Sequence, residues 1–315
     1  MKFHRIFLLL FLFLPFISRL QAQSSAPAYD FLRLDLNPRA AALAGVFVTN
    51  TDDPNVIFYN PAGINSLKET PVSISYVNYF LDINAGGLAV SKDIENIGRF
   101  ALGVDYINYG TFTRADEFKN KLGEFHAGDV AFVLGYANSL DENFFFGVNL
   151  KFIYSSIAEV SSSAAAADLG LQYLLPNQQI VFGLSAMNLG AQIKPYFDTH
   201  RESLPVDLRF GISKKMEHIP LTLAFSFNKL NENQALGDKL KVFSLGAEFN
   251  LSKVLRLRLG YDNEKRREMK LDTSTGLAGF NIGVGALISG YNFDYSYSSY
   301  GFIDSIHRIG ITFSY

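Results

Sequence analysis

The chain contains no cysteine and no tryptophan among its 315 residues, and it is poor in charge. Without cysteine it can form neither disulfides nor thiolate metal sites. Charged residues account for 18 % of the chain, below the roughly 25 % of soluble domains. The histidines beyond the N-terminal segment are scattered. We therefore expect solvated surface residues, and neither a metal site nor a cofactor, at His126, His200, His218 and His307.

Long apolar runs are missing after the first 22 residues. No later segment offers about eighteen unbroken apolar residues, so the sequence predicts no transmembrane helix. The N-terminal segment carries Lys2 and Arg5, then an apolar run from Ile6 to Ile17, then the small residue Ala22. This order is typical of a signal peptide over 1–22. The alternative, an uncleaved anchor helix, needs about twenty apolar residues, and the run has only about twelve.

Loss of this leader would remove three basic residues and no acidic one from a chain whose formal net charge is −2. The mature chain is then acidic and has no basic footprint for nucleic acid.

What the chain has instead is a repeated alternation of large apolar with small or polar residues. Phe144, Phe146, Val148, Leu150, Phe152 and Tyr154 alternate with Phe145, Gly147, Asn149, Lys151, Ile153 and Ser155. This period of two is that of a β-strand. The pattern recurs about fourteen times, too often for the single core of a soluble sheet, and lipid is the simplest surrounding for so many apolar faces.

The candidate strands lie near 71–79, 85–92, 99–109, 128–138, 143–155, 164–173, 179–189, 206–213, 220–228, 241–250, 254–261, 276–287, 290–297 and 306–315. Long and short connections alternate between them, as in outer-membrane barrels. We therefore predict an all-β transmembrane barrel of about fourteen antiparallel strands over 71–315, in the outer membrane of a Gram-negative bacterium.

Residues 23–70 differ from the rest and predict a short helical plug. Pro38 and Gly45 stand at the start and end of a short helix, as helix punctuation prefers. Asp52 and Asp53 could cap a second short helix that ends near the sequence NPAG at 60–63.

The strand face opposite the large apolar residues carries five acids and five bases. They are Asp105, Lys151, Asp168, Asp207, Arg209, Glu248, Arg256, Arg258, Asp294 and Arg308. A base facing lipid would cost roughly 2–4 kcal/mol, so we expect these side chains in the lumen, paired with one another. The alternative is a soluble sheet with solvated charges on one face.

Glycines are frequent on the same face. They are Gly103, Gly135, Gly147, Gly170, Gly183, Gly211, Gly246, Gly260, Gly279, Gly283, Gly285 and Gly310. They indicate close approach of a plug backbone, strong curvature of the wall, or both.

No catalytic constellation is recognisable. The segment 183–187 (GLSAM) lacks the second glycine of a nucleophile elbow and lies in a predicted strand. The mixed-sign run 264–268 (EKRRE) is interpreted as a solvated outer loop, with a docking patch for a partner or for anionic lipopolysaccharide as the alternative. We predict no enzyme and no catalytic, cofactor-binding or metal-binding residue.

Several segments resemble the PorQ family, an outer-membrane component of the type IX secretion system of Bacteroidetes. They are 106–118 (YINYGTFTRADEF) with 123–125 and 128–129, 149–156 (NLKFIYSS), 260–261 with 266–268 and 275–280, and the less specific 39–45 (RAAALAG). Ala44 stands where a glycine is common in this group. Residues 60–63 (NPAG) are shared with PorV and with FadL-type fatty-acid channels, so they do not separate these families.

The resemblance implies a FadL-like barrel with an N-terminal plug. It also implies a non-enzymatic role in protein secretion, in which the barrel anchors PorZ in a complex with PorU and PorV that processes cargo and links it to anionic lipopolysaccharide. The expected docking surfaces are the outer loops 110–127, 190–205, 229–240 and 262–275. The alternative function is a FadL-like channel for hydrophobic small molecules.

Overall fold

The computed structural model describes residues 28–197, 201–232, 235–270 and 274–315. The predicted signal peptide over 1–22 and His200 lie outside the described residues. No helix in the described ranges is both long enough and apolar enough to cross a membrane.

Fourteen antiparallel strands form a closed barrel in which each strand pairs with its neighbours in sequence and β1 pairs with β14. The predicted all-β barrel is therefore confirmed. The strands are β1 Pro71–Asn78, β2 Asn84–Ile94, β3 Gly98–Ala115, β4 Lys121–Asp141, β5 Phe144–Ile157, β6 Val160–Leu175, β7 Ile180–Lys194, β8 Asp207–Lys215, β9 Leu221–Phe227, β10 Phe243–Asn250, β11 Leu255–Asp262, β12 Phe280–Ile288, β13 Tyr291–Ser299 and β14 Ser305–Ser314.

The alternation in the sequence places the large apolar residues outside. In β5, Leu150 and Phe152 are exposed on the outer face, whereas Asn149, Lys151 and Ile153 are buried inside. The other strands repeat this order, so an apolar belt surrounds the barrel, as in transmembrane barrels.

The two ends of the barrel differ. Pro71 pairs with Ser314, so both ends of the wall lie at one end of the barrel, here called the terminal end. The opposite end, here called the loop end, carries the connections 195–206, 228–242 and 263–279. Two short helices lie in these connections, α2 Leu236–Lys239 and α3 Asn263–Glu268. The terminal end has only short turns.

One predicted loop is wrong. Residues 110–127 form the top of a long hairpin, because β3 runs to Ala115 and β4 begins at Lys121. The connection 158–159 is likewise a tight turn, since β5 and β6 extend as far as the hairpin. The contrast in connection length therefore holds only in the second half of the wall.

The segment before β1 forms short helices inside the barrel, as predicted. Helix α1 spans Pro38–Ala42, and 3-10 helices span Asp30–Arg33, Pro54–Phe58 and Pro61–Ser66. Asn37, Asp53 and Asn60 each cap the following helix by accepting a backbone N–H with the side chain. The second predicted helix is thus two 3-10 turns, each starting at a proline.

Residues 28–67, here called the plug, fill the lumen. A Cβ added to Gly147 would lie 2.3 Å from the carbonyl carbon of Pro61, and one added to Gly183 would lie 2.4 Å from the carbonyl oxygen of Val48. Ten of the twelve predicted inner-face glycines face plug atoms, and plug backbone is among the nearest atoms at five of them, Gly147, Gly170, Gly183, Gly246 and Gly260. This confirms close approach of a plug backbone. Gly285 faces Arg258 and Asp294 of the wall instead, and Gly279 precedes β12 in a left-handed conformation with φ of 82°.

Candidate functional site

A buried chain of ion pairs joins the plug to the wall. Arg39 of α1 donates to Glu248 of β10 through Nε and Nη2, both at 2.9 Å. Arg258 of β11 donates to the same carboxylate at 2.6 Å and to Asp294 of β13 at 2.5 Å. On the plug side, Arg39 donates to Asp52 at 2.8 Å. The chain therefore ties α1 to three strands of the wall.

A second buried pair lies on the opposite side of the lumen. Lys151 of β5 lies 2.9 Å from the carboxylate of Asp168 on β6. Asn149 donates to this carboxylate and to the carbonyl of Ile57 in the plug, both at 2.8 Å. Asn188 of β7 accepts from Lys151 at 2.8 Å. Each charge thus has an opposite charge and further hydrogen bonds, which a buried pair requires.

The predicted pairing of lumenal charges is confirmed for these residues and for Arg209, which donates to Asp207 at 2.7 Å. Arg308 instead donates to the carbonyl of Asp35 in the plug at 2.6 Å. Asp105 lines a cavity of about 10 Å³ between plug and wall, which is about the room needed by one water molecule. Arg256 is partly exposed and, like Asp105 and Arg308, forms no ion pair in the described part of the structure. The predicted pairing therefore holds for seven of the ten residues.

The loop-end half of the lumen contains a cluster of apolar side chains beside these polar groups. Tyr29, Phe31 and Leu36 of the plug pack there against inward side chains of the wall. The wall residues of this cluster are Val77, Ala85, Ile107, Ala131, Ile153, Ala164, Ala166 and Ile306, and the connections at the loop end add Leu204 and Tyr300. A molecule entering from the loop end would therefore meet this apolar cluster before it reached the ion pairs around Arg39.

An apolar pocket lies above this cluster, on the axis-facing side of the long hairpin. This pocket, here called the aromatic pocket, is lined by Tyr109, Phe112, Phe125, Ala127 and Ile157. Its volume is about 270 Å³. The rings of Phe112 and Phe125 stack with centroids 5.3 Å apart. The pocket is thus formed by β3, β4 and β5 where they extend beyond the neighbouring β2.

A β-bulge brings Phe112 into the pocket. The register of β3 on β4 shifts between Asn108 and Thr111, where Gly110 has a φ of 85°. The extra residue reverses which face of β3 points inward. Phe112 therefore faces the axis beside its partner Phe125, although the regular alternation below the bulge would direct it outward.

The floor of the pocket is a hydrogen-bonded polar cluster. Tyr109 donates its hydroxyl to Asp129 at 2.7 Å, Ser155 donates to the same carboxylate, and Tyr196 donates to Ser155. Burial raises the pKa of Tyr196 to about 12, so this phenol remains protonated and able to donate at neutral pH. The cluster satisfies its own donors and closes the bottom of the pocket.

The rim of the pocket carries one ion pair. Arg114 donates to both carboxylate oxygens of Glu159, at 2.7 and 2.8 Å, and its guanidinium lies 5.9 Å from the centroid of Phe125. Hydrogen bonding by Arg114, with its charge, lowers the pKa of the Glu159 carboxyl. The cation beside the pocket is therefore already neutralised.

The sequence predicted no site residue, and the pocket residues were missed because 110–127 was assigned to a loop. One signal was present in the sequence. Gly123, Phe125 and Ala127 occupy every second position of β4, in phase with the inward-facing residues of the same strand within the wall. Tyr79 and Tyr109 pack against the buried cluster of the lumen. His126, His218 and His307 are exposed, as predicted.

No family model and no curated protein matches the chain. Solved structures of similar fold include the toluene transporter TodX of P. putida, with a TM-score of 0.56 at 10 % identity over 88 % of this chain and 97 % of that one. A FadL homologue of Pseudomonas aeruginosa has a TM-score of 0.56 at 9 % identity over 88 % and 98 %. The monoaromatic hydrocarbon channel CymD has a TM-score of 0.56 at 14 % identity over 89 % and 97 %. At such identities the likeness concerns the fold alone, which is that of a FadL-like barrel.

Proposed function

We propose that this protein is an outer-membrane barrel that admits hydrophobic small molecules and is not an enzyme. The observation that carries the proposal is the apolar cluster in the loop-end half of the lumen, around Tyr29, Phe31 and Leu36 of the plug. The loop end is taken to face the exterior, because long connections of outer-membrane barrels are extracellular. The similarity in fold to channels such as TodX and CymD supports the same function.

Passage requires the plug to move. The cavity of about 10 Å³ beside it holds a water molecule at most. The ion pairs around Arg39 fix the plug to β10 in the terminal half of the lumen, whereas its loop-end half packs in the apolar cluster and forms hydrogen bonds such as that from Arg308 to the carbonyl of Asp35. We expect a hydrophobic molecule to displace the apolar part first, since it replaces those contacts with equivalent ones.

An engineered disulfide tests this route. A Cβ on Gly246 would lie 3.2 Å from the Cβ of Leu43, so a shift of a few tenths of an ångström gives the separation of about 3.5–4.5 Å found in disulfides. The chain has no cysteine of its own to interfere. Cells of a Gram-negative host without its own FadL-type channel would express the wild type or Leu43→Cys/Gly246→Cys, and uptake of labelled toluene and of a labelled long-chain fatty acid would be measured.

We expect uptake above that of cells with an empty vector. The oxidised double variant should lose uptake, and a reductant should restore it. The matched control is Ser226→Cys/Ser244→Cys, which joins β9 to β10 within the wall and should leave uptake unchanged. Uptake by the wild type equal to that of the empty vector would contradict the proposal.

A second candidate function is a scaffold in type IX secretion that anchors PorZ beside PorU and PorV. It is favoured by the filled lumen, where the pairs Lys151–Asp168 and Arg258–Glu248 leave little space, and by the sequence resemblance to the PorQ family. Affinity isolation of the tagged protein from native membranes in mild detergent tests it. Recovery of PorZ, PorU and PorV supports the scaffold, and recovery of none of them leaves transport as the function.

A further inference from the structure

The polarity of the sheet reverses above the barrel. In the wall, β4 directs Phe132 outward and the small Ala131 inward. In the projecting hairpin the inward positions of β4 include Phe125, while the outward positions include Glu124 and His126. An apolar face that is directed at the axis, above the lumen, has no lipid to cover it, and such concave apolar surfaces mark binding sites.

We infer that the aromatic pocket binds one uncharged apolar molecule the size of a single substituted ring, and this inference rests on the proposed function. The pocket of about 270 Å³ exceeds the cavity of about 150 Å³ that accepts benzene. The stacked rings of Phe112 and Phe125, with an interplanar angle of 20°, offer an edge and a face to a third ring.

The polar groups around the pocket select against a charged ligand. The hydroxyl of Tyr109 is donated to Asp129, so it is not free to donate to a headgroup. The only cation described at the rim, Arg114, is held by both oxygens of Glu159. A carboxylate ligand would have to displace Glu159 or approach it, and like charges repel. A monoaromatic hydrocarbon meets no such cost.

The absence of tryptophan from the chain allows a direct test. Phe125→Trp, in the full-length chain, places a single indole in the aromatic pocket. Phe146→Trp is the matched control, since Phe146 lies on the outer face near the terminal end. The centroid of its ring lies 6.2 Å from that of Tyr136. Both purified barrels would be titrated with bromobenzene, whose bromine quenches indole fluorescence on contact, and shifted mobility on unheated gels would show that each is folded.

We expect saturable quenching in Phe125→Trp that excess toluene reverses, and quenching in Phe146→Trp that rises in proportion to the bromobenzene dissolved in the detergent. Ala127→Phe added to Phe125→Trp fills the pocket and should convert the saturable response into the proportional one. If Phe125→Trp does not fold, Phe112→Trp carries the same test. Proportional quenching in the pocket variant, without competition by toluene, would overturn the inference.

Two further results separate the inference from the proposed function. Saturable quenching without cellular uptake of toluene would support the binding site and contradict passage through the lumen. Uptake of toluene without saturable quenching would support passage through the lumen and contradict the binding site. Saturable quenching in purified protein that is absent in outer-membrane vesicles would mean that another protein occupies the pocket in the membrane, which would also overturn the inference.

Discussion

Glu248 holds two arginines at once. It accepts from Arg39 of the plug and from Arg258 of the wall, and the side chain of Arg258 has no exposed surface. Removal of one member of a buried pair leaves a charge without a partner in a medium of low polarity. We expect Glu248→Gln to lower the free energy of unfolding by roughly 2–4 kcal/mol, measured by urea titration of the barrel in detergent.

Glu142→Gln is the control for this substitution, since Glu142 is exposed in the turn between β4 and β5. Surface substitutions of this kind stay within about 0.5 kcal/mol. An unchanged midpoint for Glu248→Gln would mean that the ion pairs do not stabilise the plug.

Gly147 is a second position at which a single substitution should disturb the contact between the plug and the wall. A Cβ there would lie 2.3 Å from the backbone of Pro61, and backbone cannot move aside as a flexible side chain can. We expect Gly147→Ala to displace the plug around 60–63 and to make it accessible to protease, measured by limited proteolysis with mass spectrometry. Gly237→Ala, where a Cβ would meet nothing within 4 Å, should give the wild-type pattern.

The sequence predicted these residues only in part. Strict alternation along β10, β11 and β13 was sufficient to place Glu248, Arg258 and Asp294 inside. It gave no information on Arg39, because its partner Glu248 lies 209 positions away and no local pattern records so distant a contact. The inward glycines indicated that something approaches the wall, while the identity of the approaching atoms followed only from the fold.

At the scale of elements, the long hairpin stands apart from the wall below it. The pairing of β2 with β3 ends at Asn84 and Asn108, so the part of β3 above the bulge is held by β4 alone. The register below Asn108 is unbroken. The barrel should therefore fold without the projecting part of the hairpin.

Replacement of 112–125 by Asn-Gly joins the paired residues Thr111 and His126 through a two-residue turn that suits a hairpin. We expect a folded barrel, seen as shifted mobility on unheated gels, that has lost the aromatic pocket. Loss of the folded band would show that the hairpin is needed for the wall itself.

The hairpin also shows where prediction by pattern ends. The predicted outer loop 110–127 contains Gly110 and Gly123. In the structure both glycines have positive φ, of 85° and 136°, yet both lie within strands. Gly110 belongs to a bulge, which a sequence pattern of period two cannot distinguish from the end of a strand.

At the scale of the whole molecule, a filled lumen predicts a poor ion conductor. The plug occupies the barrel and most inward charges of the wall are paired, so a continuous aqueous path is missing in the described part of the structure. We expect the purified protein to show no large conductance steps in planar bilayers, and a variant without residues 28–67 to show them. Large steps from the intact protein would contradict the filled lumen.

The pairing of Arg39 with Glu248 of β10 sets an order for biogenesis. The plug is made first, but its partner Glu248 belongs to the last third of the chain, and contacts over such separations are costly to close early. A nascent barrel that still lacks β10 holds Arg39 without its carboxylate from the wall. Seating of the plug and pairing of β1 with β14 are therefore late events that favour one another, so the lumen is already occupied when the newly assembled cylinder first becomes complete.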